Sequence, residues 1–292
     1  MIVRGFLAMI GALALAGCDR APPSIADGEP GPALWEVRSA GGVVEGWLFG
    51  TVHALPEGTA WRTTRLDTVV ARADLLVVEA ADLDSEGLSR IFAGLAFDKP
   101  QGPVRSRISP ALRDEFDTIA NEAAGRLGNL DRMETWAAAL AVAQTAQGGE
   151  LENGADRALL AQFRGRRIEE LEGARRQLAI FDSLPEKEQR DLIDAVIVEI
   201  AQGKAGDDRL TQDWLRGDVE ALGLKTGEGM LADPELREAL LVGRNRAWTE
   251  ALVDLFDEDA QPLVAVGAGH LAGPESIAVM LEQRGYSVRR VE

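Results

Sequence analysis

Each end of this chain carries a short apolar run that stops at Gly-x-x-His, and these two turns hold the only two histidines in the sequence. The first run, Val43 to Phe49, leads into Gly50-Thr51-Val52-His53, and the second, Pro262 to Val266, into Gly267-Ala268-Gly269-His270. A continuous apolar run bounded by a glycine turn reads as a buried strand. Ligands of open α/β sheets bind beyond the carboxyl ends of such strands. The fold expected is therefore α/β, with one central sheet built from the N- and C-terminal pieces and both histidines on its ligand-binding edge. Gly50, Gly267 and Gly269 are expected to let the backbone turn sharply and to leave room beside the rings.

The rest of the pattern supports this class. Trp35 to Ser39 and Val43 to Phe49 flank Gly41-Gly42, a hairpin signal. Leu66, Val69, Val70 and Ala73 share a helical face. Leu75 to Val78 is a buried-strand run ending in Glu79. From Leu83 to about Phe256 the helical period dominates, with stripes such as Leu112, Phe116, Ile119 and Ala123 behind Ser109 as N-cap and Pro110. One strand is expected in that stretch, Arg167 to Leu171, ending at Glu172. A long helix starts at Asp233-Pro234, another runs from Pro274 to Arg284, and Tyr286 to Val291 is a last strand. Strand, Gly-x-x-His and helix recur in both end pieces, which reads as a pseudo-repeat of two half-sheets bracketing a large, mostly helical middle.

The N-terminus points outside the cytoplasm. Arg4 precedes the apolar run Gly5 to Ala16, which is too short to span a bilayer and suits a signal segment. It ends in Leu15-Ala16-Gly17-Cys18, resembling a lipobox, and Cys18 is the sole cysteine. Residues 1–17 are expected to be a signal peptide and Cys18 the lipidated residue, with 18–33, rich in Pro and Gly, as a tether. The domain then spans 34–292. The expected location is the cell envelope, with the lipid membrane as one partner. A formal charge of −17 argues against nucleic acid as another.

Glu79 at a strand end joins the two histidines as a third candidate. Two imidazoles and a carboxylate suit a divalent metal, whether zinc, manganese, cobalt or iron, with room left for an activated water. Glu172 is a second candidate, as ligand or general base. Arg244 lies on the apolar stripe of its helix among Leu240, Ala247 and Trp248. An arginine there either snorkels off the stripe's edge or reaches a carboxylate, a metal-bound anion or a substrate carbonyl. Glu79 or Glu172 is the expected partner. No Gly-x-Ser-x-Gly elbow, HExxH pair or P-loop is present.

Leu48-Phe49-Gly50-Thr51-Val52-His53 with Pro56-Glu57-Gly58, Trp61 and Val77-Val78-Glu79 resembles the start of TraB/GumN proteins. Val266-Gly267-Ala268-Gly269-His270-Leu271, Gly273-Pro274 and Arg284-Gly285-Tyr286-Ser287-Val288 resemble their end. Leu171-Glu172, Gln177 and Arg244-Asn245-Arg246-Ala247-Trp248 are also similar. The resemblance covers Trp35 to Glu292. It implies a fold related to the TIKI, erythromycin-esterase-like and ChaN-like group. It also implies a metal and catalytic core of His53, Glu79 and His270, completed by Arg244 and Asn245. TIKI members are metal-dependent proteases of secreted signals, and other relatives are linked to pheromone shutdown or polysaccharide gene clusters. One departure stands out: Arg175-Arg176 replaces an acidic pair that many relatives carry before the glutamine. The function expected is a metal-dependent hydrolase, peptidase-like, acting on a peptide or small extracytoplasmic substrate. The rival expectations are a membrane-tethered module that binds peptide or glycan without catalysis, and an accessory of envelope polysaccharide production.

Overall fold

The structure, a computed structural model, describes residues 31–81, 85–99, 101–146, 149–203, 208–258 and 260–292. The signal segment, Cys18 and the tether as far as residue 30 lie outside the described residues. Gly31, Pro32 and Ala33, at the end of the expected tether, are buried against the domain.

Six strands form one sheet: β1 (Leu34–Arg38), β2 (Val44–Thr51), β3 (Leu75–Val78), β4 (Arg167–Glu170), β5 (Pro262–Gly267) and β6 (Ser287–Arg290). Their order is β4-β3-β5-β2-β1-β6. β4, β3, β5 and β2 are parallel neighbours, while β1 runs antiparallel to both β2 and β6. The fold is α/β, as the apolar runs imply. The pseudo-repeat of two half-sheets is not how it is assembled. β5, from the C-terminal piece, lies between β2 and β3 of the N-terminal piece, and β6 leaves for the far edge. Every residue of β5 is buried, and a strand with no polar face needs a neighbour on each side and cover above and below.

The pleat divides the core into two faces. Trp47, Phe49, Leu76, Val78, Leu263 and Ala265 pack against helices Thr64–Arg72, Ala155–Gln162 and Asp208–Leu215. Leu48, Leu75, Val77, Val264 and Val266 pack against helices Gly243–Phe256 and Ile277–Gln283. Continuing the alternation of Leu75 and Val77 by one step past β3 directs Glu79 to the face of the Gly243–Phe256 helix, the one that carries Arg244.

The helical middle has its own core around Trp136, which stacks on Phe181 and meets Phe92 edge-on. Helix Thr135–Gln144, whose residues between the terminal Thr and Gln are all Ala, Leu, Val or Trp, is buried nearly all round and lies along helix Glu186–Ala201. A helix apolar on every side belongs inside a lobe rather than on its surface. Among the described residues, no helix is long and apolar enough to cross a membrane.

Several boundaries differ from the periodic reading. Pro110–Leu112 is a 3₁₀ turn ahead of helix Arg113–Glu122, and the Ser109 hydroxyl caps nothing. The Ser109 N–H instead donates to Asp194, tying the segment to a neighbouring helix. The last helix starts at Ile277, where the Ser276 hydroxyl accepts from Val279 N, and not at Pro274. Asp233 does cap its helix, accepting from the N–H groups of Glu235 and Leu236. That helix then passes through a π turn, Glu238–Val242, before Gly243. A stripe read at 3.6 residues per turn does not register one wider turn.

Candidate active site

Four parallel strands end on one edge of the sheet, and each delivers a polar side chain there. β2 is followed by His53, β5 by His270, β3 by Glu79 and β4 by Glu172. The pairing of Thr51 with Gly267 sets the two Gly-x-x-His turns side by side. Gly50 makes this possible, because a Cβ there would come within 3.0 Å of the Ala268 Cα. The turns do not draw on glycine's left-handed conformations. Gly50, Gly267 and Gly269 all lack a positive φ, and Gly267 has an ordinary −49°. Gly267 contributes its N–H, which donates to Glu79 Oε1 at 2.7 Å.

Arg244 is the hub of the buried part. It is 3% exposed, two residues beyond the π turn. All five of its N–H groups are taken. Nε donates to both oxygens of Glu172, at 3.0 and 3.1 Å. Nη2 donates to Glu79 Oε2 at 2.8 Å and Glu172 Oε2 at 2.9 Å. Nη1 donates to the Leu240 carbonyl at 3.2 Å and to His270 Nε2 at 3.1 Å. The guanidinium also lies 4.4 Å from the centre of the Trp248 ring, which in turn packs on the His270 ring. Both carboxylates expected as alternative partners are therefore partners at once. A fully engaged guanidinium has no N–H left for a substrate oxygen, so the carbonyl-stabilising role expected of Arg244 is not available in this arrangement.

His270 is held in one tautomer. Its Nδ1–H donates to Asn245 Oδ1 at 2.5 Å, and Asn245 Nδ2 donates to the Glu275 carbonyl at 2.8 Å, which fixes the amide. Nε2 is left to accept from Arg244. Complete burial and the adjoining guanidinium push the His270 pKa down to about 3, against the pull of Glu79. Burial, the largest single influence, raises Glu79, but the charges of Arg244, His270 and His53 and the Gly267 N–H together outweigh it and lower the carboxyl to about 2. Gln177 Nε2 adds a further donor to Glu79 Oε2 at 2.9 Å, while Arg175 and Arg176, on the same helix, are exposed.

His53 stands apart from this cluster and nearer to solvent. Its Nδ1 bonds Asp156 Oδ2 at 3.0 Å, and its Nε2 is buried with no hydrogen-bond partner among the described residues. Burial pushes the imidazole pKa down, but the charge and hydrogen bond of Asp156, helped by Glu79, more than reverse this, so the pKa is raised. Asp156 lies in the first turn of helix Ala155–Gln162. Gly154 brings that turn in, since a Cβ there would overlap the His53 carbonyl, and Ala155 N donates to the Val52 carbonyl at 2.9 Å. Sequence reasoning missed Asp156. Its only signal was Gly-x-Asp at a helix start, where an acid ordinarily serves the helix dipole.

His53, Glu79 and His270 thus converge, but not as a metal first shell. The His270 Nε2 lone pair faces Arg244, and Glu79 Oε1 is 3.9 Å from that nitrogen. Both Glu79 oxygens already accept N–H groups. Among the described residues, no three His, Cys, Asp or Glu side chains are grouped to hold a metal ion. A cation at about 2.0–2.1 Å from His270 Nε2 requires the guanidinium to leave. The set offers one open ligand atom, His53 Nε2, and does not fit the expected two-histidine, one-glutamate site.

Having two histidines in the whole chain makes the electrostatics directly readable. In imidazole ¹⁵N spectra of metal-free protein, His53 should titrate above the usual 6.5, and His270 should stay neutral, protonated on Nδ1, down to about pH 3. Between pH 6.5 and 3 the unfolded chain takes up a proton at His270 that the folded chain refuses, so that residue's contribution to stability falls as the pH falls. A His270 signal that titrates near 6.5 would contradict the arrangement.

The chain is similar to an uncharacterized protein of Treponema pallidum (strain Nichols), with 25% identity over 275 residues, covering 86% of this chain and 80% of that protein. No solved structure matches the chain. Residues 33–290 match the TraB/PrgY/gumN family across both Gly-x-x-His turns and everything between them, and the chain belongs to that family.

Proposed function

We propose that this protein is a hydrolase of acyl bonds, peptide-like in its substrate, working outside the cytoplasm from a lipid anchor on Cys18. The observation that carries the reading is His53, a ring held by Asp156 through Nδ1 whose Nε2 is buried without a partner among the described residues. A carboxylate on Nδ1 fixes the tautomer that leaves Nε2 as a proton acceptor, and it stabilises the imidazolium formed when a proton arrives. His53 therefore takes a proton from a water as that water adds to the substrate carbonyl, and then returns it to the leaving amine or alkoxide. Glu79, Arg244, His270 and Asn245 support this by position. They lock the second Gly-x-x-His turn against the first and keep a fixed field beside the reacting group. Because the expected ligand set does not fit, no step is routed through a metal.

The test is turnover of a peptide mixture and of nitrophenyl esters before and after prolonged chelation. Activity should survive chelator, and its rate should climb as pH rises through the raised His53 pKa. His53→Ala and Asp156→Asn should each lower turnover by about 10²–10⁴-fold with melting behaviour preserved. Activity restored only by added manganese, cobalt, zinc or iron would show that a cation displaces Arg244 and that this mechanism is wrong. Binding of peptide or glycan without turnover would make the protein a tethered recognition module.

The anchor is tested separately. Wild-type protein should partition into detergent and incorporate labelled palmitate, and Cys18→Ser should abolish both. Labelling that persists in the variant contradicts lipidation at Cys18.

A further inference from the structure

The apolar core of the helical middle and that of the sheet do not close completely on each other. Between them lies a cavity of about 110 Å³. One wall comes from the lobe, with Leu140, Phe181 and Leu192; the opposite wall comes from the sheet side, with Val52, Leu222 and Ala268. Val52 immediately precedes His53. Ala268 and Gly269, which also line the cavity, immediately precede His270. Leu240, whose carbonyl holds Arg244, forms part of the lobe wall. The cavity is thus built from the neighbours of the residues at the strand edge.

We infer that this cavity is the specificity pocket of the site and that it receives a branched aliphatic side chain, leucine-sized, next to the bond that the water activated by His53 cleaves. Four observations carry this. The lining is apolar apart from a few groups already engaged. Glu199 Oε1 accepts from Met230 N, and Lys225 pairs with Glu228. Among the described residues, the charged groups of the lining are thus already paired. The volume is somewhat below the ~150 Å³ apolar cavity that admits benzene, which suits four aliphatic carbons and excludes an indole. An apolar cavity placed at the junction of two cores beside polar groups is the usual form of a ligand site. Finally, Gly269 is partly exposed while its neighbours are buried, so the way in passes over the turn that carries His270.

The inference rests on the hydrolase reading for its chemistry but not for the binding. Two experiments separate them. The first is calorimetric titration of the full chain with isovaleramide, a neutral amide carrying a leucine-like group, against acetamide. Isovaleramide should bind at least about tenfold more tightly, since a single methylene in an apolar pocket is worth about 10–200-fold. Leu231→Trp, at a half-buried lining position, should fill the pocket and abolish that preference. Leu231→Ala should enlarge the pocket and shift preference toward 3-phenylpropanamide, and it serves if the tryptophan variant does not fold. Equal binding of isovaleramide and acetamide, or selectivity untouched by both substitutions, overturns the pocket. The second experiment compares hydrolysis of peptides that differ only in Leu, Ala or Gly at the cleavage position. Cleavage without a leucine preference overturns the pocket and leaves the hydrolase standing. Selective isovaleramide binding with no cleavage of any peptide keeps the pocket and removes the hydrolase.

Discussion

A buried guanidinium with every N–H in use holds the active edge of this protein together. Arg244 binds Glu79 and Glu172 on one side and His270 and the Leu240 carbonyl on the other. Burying a charge is costly, and removing one member of a buried pair is costlier than forming it, because the partner is left unpaired. Here one guanidinium answers two carboxylates that come from the ends of different strands, β3 and β4. It also settles the state of His270, which stays neutral because a cation sits against its Nε2. The planar five-donor fork explains why arginine and not lysine occupies the position.

The sheet order gives that hub its reach. With β5 inserted between β2 and β3, the ends of four consecutive parallel strands supply His53, His270, Glu79 and Glu172 along one edge. The strand pleat sends Glu79 toward the helix of Arg244, and the π turn ahead of Gly243 presents that arginine. π turns inside helices recur at functional positions, where they reset which side chains face inward. The Asp156–His53 pair is carried by a separate element, the helix start that Gly154 docks against the first turn. The edge therefore has two parts: a saturated interior that fixes geometry, and a buried imidazole nearer the surface with one nitrogen to spare. Beside them lies the apolar cavity between the lobe and the sheet.

Much of this was legible in the sequence. Strands β2, β3 and β5 read as apolar runs stopped by glycine or glutamate, and the residues just past them are the ones that meet. Arg244 was conspicuous because a charge interrupts an apolar stripe between Leu240 and Trp248. The rest was hidden for physical reasons. Strand order is set by which buried strands need two neighbours, and a periodic pattern does not record it. Asp156 is one acid in a chain with 48 Asp and Glu residues, and its helix-start position already has an ordinary explanation. For the expected metal set, residue identity was legible and donor accounting was not. His53, Glu79 and His270 do gather, but the count of lone pairs and N–H groups around them, which needs coordinates, leaves only one nitrogen open.

A double-mutant cycle on unfolding free energy, pairing Arg244→Met with Glu79→Gln in urea at neutral pH, tests the hub most directly. Arg244→Met alone should cost about 3–5 kcal/mol, because it strands buried carboxylates. With Glu79→Gln already in place the loss should be smaller by at least about 1 kcal/mol, the coupling expected of residues in one buried network. Additive losses, agreeing within about 0.5 kcal/mol, would mean that Arg244 and Glu79 do not sense each other and would contradict the account.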